Sequence, residues 1–379
     1  MPWKSKTPVD LRIEFMNRVM KGETVAELCR EFGISRKTGD KFKQRFKRLG
    51  EAGLLDQSRA PRVIPHKTSA EVVKLLVEER KRRPSWGPKK LKNTLEKRLG
   101  CELPAVSTIG DILVRAGLVV NRPKRRKFPP QPTTLREALA PNDVWCIDYK
   151  GQFRLGDRSL CYPLTLTDQR SRYILGCDAM VAISDEEARE SCEEVFRSYG
   201  LPKAIRSDNG VPFASSGLRN LTRLSAYWLQ LGIDLERIRP AHPEENGQHE
   251  RMHRTLKFET TRPPRTNLLQ QQERFDEFVE EFNHERPHEA LAMKRPAQLY
   301  KPSPRKLPAV LAELDYPQHD DVIPVDRVGY VSFRRRRSYL STALAYQTVG
   351  VREELNGRWL VTFANLDLGY VDHTGFSPL

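Results

Sequence analysis

The chain has 379 residues, of which 38% are hydrophobic and 30% charged, so it can bury hydrophobic cores and is not a disordered polymer. Its length predicts two to four domains, and the absence of any run of about eighteen apolar residues excludes a membrane-spanning helix. No apolar stretch of the signal-peptide kind follows the first residues, and none of the six cysteines form a CxxC pair. We therefore expect reduced, mostly buried thiols in a cytoplasmic protein.

The net charge of +16 is distributed unevenly along the chain. Residues 1–137 contain 33 Lys and Arg against 15 Asp and Glu, a net +18, whereas residues 138–379 contain 32 against 34, a net −2. A basic segment attached to a nearly neutral body is typical of a module that binds a polyanion, most commonly nucleic acid. The first third is therefore predicted to bind nucleic acid.

Residues 1–60 are predicted to form a helix-turn-helix domain. Apolar residues recur at helical spacing up to Phe32, Gly33 supplies a left-handed turn, and Ser35 is placed to cap a second helix. That helix would enter the major groove of DNA, although a helical hairpin with solvated lysines has the same pattern. Gly39 inside it costs up to about 1 kcal/mol. The cations of this helix predicted to contact DNA are Arg36, Lys37, Lys41, Lys43 and Arg45.

Residues 61–120 predict a second helix-turn-helix or winged-helix-like domain, with a last helix capped by Ser107. Lys89 and Lys90, which begin its middle helix, are predicted to contact DNA. Residues 121–137 are predicted to be an extended basic linker, because the sequence NRPKRRKFPPQPTT has five basic residues and four prolines. The linker residues predicted to lie along a phosphate backbone are Lys124, Arg125 and Arg126, although a spacer has the same composition.

From residue 138 to residue 300 the pattern predicts an α/β domain. Three strand-like runs precede the first helix at 186–199, after which short strands alternate with helices. This order predicts a sheet that starts as an antiparallel meander. The later predicted elements are a strand at 204–208, a helix at 217–231, a strand at 235–239, and helices at 248–259 and 270–283.

Three carboxylates stand out in this domain. Asp148 lies in an apolar strand, where an unpaired charge is costly. Asp208 ends a strand at an Asn-Gly turn, on the sheet edge where α/β sheets place ligands. With Glu250 they fit chemistry in which two Mg²⁺ ions about 3.5–4 Å apart activate the attacking oxygen and stabilise the leaving one. Taken singly, Asp148 and Asp208 could equally be structural.

The helix that carries Glu250 is predicted to have two different faces. At about 100° per residue, Arg254 and Lys257 return within about 40° of Glu250. Met252 and Leu256 fall on the opposite side, toward the sheet. We therefore expect an acid and two cations on the exposed face.

The segments VWCIDYK, RSDNGVPF and RPAHPEENGQHERMHRTLK together resemble the three blocks of bacterial insertion-sequence transposases with a retroviral-integrase-type core. The resemblance also covers the N-terminal region, the WGPKKL segment and the tail. It implies a DDE, ribonuclease-H-like core with Asp148, Asp208 and Glu250 as catalytic metal ligands and Lys257 in a cationic position. The 42 positions between Asp208 and Glu250 slightly exceed the usual spacing, and the difference falls in a helix and loop.

The resemblance implies a DNA transposase that uses two Mg²⁺ ions, for which Mn²⁺ substitutes. Water would cleave a transposon end to leave a 3′-hydroxyl, which then attacks a target phosphodiester. Arg254 and Lys257 would hold the DNA end, and the basic third would recognise the terminal inverted repeat. Joining two ends would require a homodimer or higher oligomer on DNA. A catalytically silent DNA-binding regulator and a structure-specific nuclease of the same fold are the alternatives.

The run from His249 to His253 also matches the HExxH motif of zinc proteases. That interpretation is disfavoured because no third ligand follows at a suitable spacing and the same helix carries several cations. Asp168 is expected to be structural, paired with Arg170 or Arg172. Glu244 could rival Glu250, but it lies in a loop without a rigid mount.

Residues 301–379 predict a Pro-rich linker followed by a small all-β barrel of the SH3 kind, with a hairpin turn at Asn356-Gly357. Arg334–Arg337 would contact phosphate or be a solvated strand end. The chain is thus predicted to be multidomain. It has an all-α tandem helix-turn-helix N-terminal region, an α/β ribonuclease-H-like catalytic core and a small all-β SH3-like barrel.

Overall fold

The computed structural model describes residues 6–58, 67–119, 135–239, 242–354, 357–372 and 375–379. The chain divides into two compact units, residues 1–67 and 68–379. No helix among the described residues is long and apolar enough to cross a membrane. All six cysteines are free thiols, and five of them are buried while Cys101 is exposed.

The first unit contains three helices, α1 (Pro8–Met20), α2 (Val25–Glu31) and α3 (Arg36–Leu49). The predicted turn between α2 and α3 is present, since Gly33 has φ +63° and the Ser35 side chain accepts a hydrogen bond from the Thr38 amide. Phe15 and Leu28 are buried between the helices. The unit is thus a helix-turn-helix bundle with a small core.

The second unit begins with α4 (Ala70–Arg82), α5 (Pro88–Leu99) and α6 (Val106–Arg115), which pack around the fully buried Trp86. The predicted cap of α6 is wrong, because Ser107 lies inside a helix that starts after Ala105. Arg83 forms ion pairs with Glu79 of α4 and with Glu281 and Glu285 further along the chain. This helical domain is therefore fixed to the domain that follows.

The central domain is built on one mixed sheet. Its strands are β1 (Val144–Tyr149), β2 (Phe153–Arg154), β3 (Leu160–Asp168), β4 (Ile174–Met180), β5 (Ala204–Ser207) and β6 (Asp234–Arg237). β3 pairs antiparallel with β1, β2 and β4, whereas β5 pairs parallel with β1 and β6. The predicted meander and α/β class are confirmed, and the short β2 was not predicted.

Helices cover both faces of this sheet. Those helices are α7 (Asp185–Tyr199), α8 (Arg223–Gln230), α9 (Gly247–Thr260) and α10 (Leu268–Glu280). α7 and α8 pack around Trp145 and Phe196 on one face, and α9 and α10 pack around Leu256 and Phe275 on the other. The sheet is thereby enclosed on both sides, apart from the edge where its strands end.

The helix predicted over 217–231 begins later than expected. Arg219 and Asn220 have φ of +50° and +55°, which a helix cannot contain, and Thr222 then caps α8. Hydrogen bonding between Thr222 and Ser225 in both directions fixes this start. The periodic apolar pattern therefore extended the prediction past the true boundary.

The C-terminal region is all-β, as predicted. Its strands are β7 (Asp321–Pro324), β8 (Tyr330–Phe333), β9 (Arg336–Tyr339), β10 (Thr348–Glu353), β11 (Trp359–Phe363), β12 (Leu366–Val371) and β13 (Phe376–Pro378). They form an antiparallel sheet in the order β13-β12-β11-β10-β7 and a β8-β9 hairpin. The apolar core of this region includes Leu221, Ala226 and Leu229 beside and within α8, so the tail packs on the central domain. Asn356 of the predicted turn lies outside the described residues.

Gly39 in α3 and Gly110 in α6 have different surroundings. A Cβ on Gly39 would lie 2.4 Å from Cys29 Sγ, whereas one on Gly110 would meet Pro88 at 3.8 Å. We expect Gly39→Ala to destabilise the first unit by about 1–3 kcal/mol through overpacking. Gly110→Ala should stabilise its domain by up to about 1 kcal/mol. Urea unfolding measures both, and a stabilising Gly39→Ala would contradict the close packing of α3 on α2.

Candidate catalytic site

Asp148, Asp208 and Glu250 are brought together by three separate elements. Asp148 lies near the end of β1, Asp208 directly follows the parallel neighbour β5, and Glu250 lies in the first turn of α9. β1 and β5 pair in a register that, continued to the strand ends, sets Asp148 opposite Asp208. The negative charges of Asp208 and Glu250 both raise the pKa of Asp148. The register therefore places Asp148 beside Asp208 at one sheet edge, and Glu250 on α9 lies close enough to act on the charge of Asp148.

The surroundings of Asp148 disfavour the ionised form of its carboxyl group. Burial, followed by the charge of Asp208, raises its pKa to about 7, and Lys150 opposes this while Glu250 adds to it. A divalent cation among the acids would neutralise the repulsion. Because hard cations prefer oxygen ligands, a set of three carboxylates fits Mg²⁺ or Mn²⁺.

Asp208 is oriented by the turn after β5. Its Oδ1 accepts a hydrogen bond from the Gly210 amide at 3.0 Å, and the Asn209 side chain donates to the Ile238 carbonyl at 2.7 Å. Asp208 Oδ2 accepts no hydrogen bond from the residues that the structure describes. The turn therefore holds one oxygen and leaves the other available to a ligand.

The two faces of α9 are as the helical period predicts. Glu250, Arg254 and Lys257 are exposed. Met252 is 6% exposed and Leu256 is fully buried. The helix therefore mounts one acid and two cations rigidly on an apolar base.

The two histidines of the HExxH sequence face the sheet. His249 and His253 are each 2% exposed, and both hydrogen-bond the Thr165 hydroxyl of β3 through Nε2, at 2.8 and 2.6 Å. Thr167 binds His249 Nδ1 at 2.8 Å. Burial lowers the pKa of His249 to about 3 and that of His253 well below its usual value, so both rings are neutral. Glu250, which follows His249 by about 100° around the helix, is exposed.

The histidine cluster also supports Asp148. His253 Nδ1 lies 3.6 Å from Asp148 Oδ2, and potential ligand atoms of Asp148, His249 and His253 lie within 4.8 Å of one another. Since Thr165 already engages both Nε2 atoms, we interpret the cluster as a mount for Asp148. The sequence analysis did not predict this histidine cluster. The pattern that could have indicated it is a pair of threonines at alternate positions of an apolar strand, together with two histidines one helical turn apart.

Thr165→Val preserves the side-chain shape but removes the hydroxyl shared by the two histidines. We expect the free energy of unfolding to fall by about 1–3 kcal/mol, because buried ring nitrogens lose their partner. Thr167→Val, which removes a bond to one ring only, should cost less. Urea unfolding compares them, and an equal or smaller loss for Thr165→Val would contradict the shared role of its hydroxyl.

Asp168 is structural, but its predicted partners were wrong. It is 1% exposed, and its oxygens accept hydrogen bonds from the Ser171 amide and the Asn142 amide, both at 2.7 Å, rather than from Arg170 or Arg172. The tight turn at Ser171 brings neutral donors to the carboxylate before either arginine can reach it. The side chain of Glu244 lies outside the described part of the chain.

The predicted DNA-contacting cations occupy different settings. In α3, Arg36, Lys37, Lys41 and Lys43 are exposed and Arg45 is half-buried. In α5, Lys89 pairs with Glu289 at 2.8 Å and Lys90 is half-buried. The linker residues Lys124, Arg125 and Arg126 lie outside the described residues.

A groove of about 1360 Å³ extends between the helical domain and the central domain and reaches Glu250. Its lining includes ten Lys and Arg but three Asp and Glu, and seven of those cations come from the central domain. Charge counting along the sequence missed this, since it gave the central domain no positive excess. Folding concentrates these cations on the side where Glu250 lies.

Comparisons with known proteins agree with this architecture. Models of an integrase core domain match residues 138–243 and 231–296, and models of a helix-turn-helix domain and a homeodomain-like domain match residues 11–62 and 38–113. The chain carries an integrase core domain behind helix-turn-helix domains. The predicted resemblance and fold class are therefore confirmed.

Bacterial and viral proteins are similar to parts of this chain. An uncharacterized protein of insertion element IS407 from Burkholderia multivorans is 27% identical over 189 residues, which are 48% of this chain and 64% of that protein. The Gag-Pol polyprotein of baboon endogenous virus is 34% identical over 101 residues, which are 27% of this chain and 6% of the polyprotein. The chain thus spans less than two thirds of the length of these relatives.

Solved integrase structures are also similar. The HTLV-2 integrase catalytic core domain in complex with magnesium has 15% identity and a TM-score of 0.35, covering 43% of this chain and 99% of its own. The simian T-cell lymphotropic virus intasome, in complex with PP2A regulatory subunit B56 gamma, has 17% identity and a TM-score of 0.39, covering 80% and 99%.

Proposed function

We propose that the protein is a DNA transposase that cleaves the 3′ ends of transposon DNA and joins them to target DNA. The observation that carries this proposal is the convergence of Asp148, Asp208 and Glu250 from three elements, with Glu250 on the wall of a basic groove. The integrase core domain supports DNA integration chemistry in general.

Two Mg²⁺ ions, or Mn²⁺ in their place, would be held by Asp148, Asp208 and Glu250. When bound, such ions activate the attacking oxygen and stabilise the leaving oxygen of a phosphodiester. The chain supplies part of the geometry, because the turn at Asp208 orients that carboxylate and the buried histidines lie behind Asp148.

The cations would position the DNA. Arg254 and Lys257 lie on the exposed face of α9 that carries Glu250, so they would bind phosphates of the DNA end beside the acids. The exposed cations of α3 would enter the major groove of the terminal inverted repeat. Since each chain contributes one set of three acids, joining two ends requires a homodimer or a higher oligomer on double-stranded DNA.

The test combines protein, labelled duplexes that carry the element's ends, and a plasmid, with Mg²⁺ or Mn²⁺. Labelled DNA joined to the plasmid through its 3′ ends is the expected result. Nicked duplexes without joined products would indicate a nuclease of the same fold. A shifted complex without cleavage would indicate a DNA-binding regulator, and either outcome would refute the proposal.

A further inference from the structure

One part of the groove contains three cations and a histidine that the proposed chemistry does not use. We call this group the cation cluster, and its members are Lys90, Arg172, Arg286 and His288. Lys90 comes from α5 of the helical domain, Arg172 from the turn between β3 and β4, and the other two from the segment beyond α10. The cluster therefore spans the boundary between two domains.

The three cations of the cluster repel one another. Burial and the charges of Arg286 and Arg172 lower the pKa of Lys90 to about 8, while Glu259 and Glu289 act in the opposite direction. Burial and the same cations, together with Lys90, lower the pKa of His288 to about 3, so this ring is neutral. Such crowding disfavours the free protein, which makes a purely structural role a poor explanation.

Two carboxylates lie near the cluster. Glu259 pairs with Arg286 of the cluster at 3.0 Å, and Glu289 pairs with Lys89 outside it at 2.8 Å. Asp168, which also lines the groove, is occupied by amides. Lys90 and Arg172 form no ion pair within 4.0 Å among the described residues. Two cations of the cluster therefore have no carboxylate in direct contact among the described residues.

A buried polar atom is also left without a partner in this cluster. His288 is 9% exposed, and its Nε2 has no hydrogen-bond partner among the described residues. Arg286, in contrast, is held by Glu259 and by the Ser85 hydroxyl at 3.0 Å. The guanidinium held in place, the two cations without a direct carboxylate contact and the unpaired imidazole nitrogen together suit the binding of an anion.

We propose that the cation cluster binds a phosphodiester of the DNA backbone at the boundary between the helical domain and the integrase core. A phosphate has several acceptor oxygens, which suits a guanidinium fork and an ammonium group together. Its charge would also favour the protonated form of His288, whose Nε2–H then donates to it. The groove continues from the cluster to Glu250, so a strand held here would lead to that residue.

The cation cluster is suited to a phosphate anion from any source. Only the assignment of that phosphate to DNA rests on the proposed function. Because like charges crowd Lys90 in the free protein, Lys90→Gln should leave the melting temperature unchanged or raise it, while phosphate binding is lost. A structural lysine would instead lose stability without any change in the response to phosphate.

The first experiment measures thermal unfolding of the full chain in inorganic phosphate and in chloride at equal ionic strength. Phosphate should raise the midpoint of the wild type, and Lys90→Gln and Arg172→Gln should lose at least half of that shift. Lys97→Gln is the matched control, since Lys97 is exposed on the same helix but does not line the groove. The same phosphate response in all four proteins would overturn the proposal.

The second experiment measures affinity for a duplex of about three helical turns as salt is varied. Lys90→Gln should bind roughly five- to tenfold more weakly, with a salt slope smaller by about one. Unchanged duplex affinity with a lost phosphate response would show a site for free phosphate and overturn the assignment to DNA. Neither readout depends on cleavage, so failure of the proposed function is distinguishable from failure of this inference.

Discussion

Asp208→Asn is expected to abolish metal-dependent DNA cleavage while the fold and DNA binding are retained. Asparagine keeps an Oδ1 that can accept the hydrogen bond from the Gly210 amide, so the turn after β5 survives. It removes the negative charge that a divalent ion requires. Because even outer-shell partners of a metal cost about 10–100-fold, loss of a ligand should lower the cleavage rate more than about 100-fold.

Asp157→Asn is the matched control for this change. Asp157 shapes a comparable turn, in which its Oδ1 accepts a hydrogen bond from the Ser159 amide at 2.9 Å. It is exposed and lies in the turn between β2 and β3. Single-turnover cleavage of labelled duplexes should therefore match the wild type for Asp157→Asn. Undiminished cleavage by Asp208→Asn would show that Asp208 is not a catalytic residue.

Substitutions at two adjacent residues of α9 are expected to change different properties, stability at one position and DNA binding at the other. Leu256 is fully buried in the core that contains Phe275, and Leu256→Ala should lower the free energy of unfolding by about 2–5 kcal/mol. Lys257 is exposed, so Lys257→Gln should change stability by less than about 0.5 kcal/mol. Lys257→Gln should instead weaken binding of a DNA end beside Glu250.

Urea unfolding and duplex binding, measured on both variants, check this division. A destabilised Lys257→Gln would mean that this lysine packs against the protein rather than facing DNA. A Leu256→Ala variant as stable as the wild type would contradict the packing of the apolar face of α9 against the core.

Features that depend on local sequence were predicted well. Gly33 and Ser35 define the turn of the first unit through one backbone preference and one cap. The faces of α9 follow from the helical period alone. Asp208 was located because a strand ends there, and parallel strands bring their carboxyl ends to the same edge of a sheet.

Features that depend on distant contacts could not be predicted from the sequence. Thr165 and His253 are 88 positions apart, and neither looks functional before β3 and α9 pack together. Arg286 and Lys90 belong to regions that sequence analysis assigned to separate domains. The ion pairs of Arg83 that fix the helical domain to the core also have no sequence signature.

The charge distribution takes on a more specific meaning in three dimensions. The central domain has no net positive charge in sequence, yet seven of its cations line the groove. In the function that we propose, the first third attracts nucleic acid and the groove positions its phosphates. The fold, rather than the order of residues along the chain, therefore determines where acidic and basic side chains lie.

Direct measurement of metal binding tests whether the three acids act together. Bound Mn²⁺ per chain can be measured by electron paramagnetic resonance in the presence of duplex DNA, for the wild type, Asp208→Asn and Asp157→Asn. Two bound ions are predicted for the wild type and Asp157→Asn, and at least one ion fewer for Asp208→Asn. Equal binding by all three proteins would contradict the metal site formed by Asp148, Asp208 and Glu250.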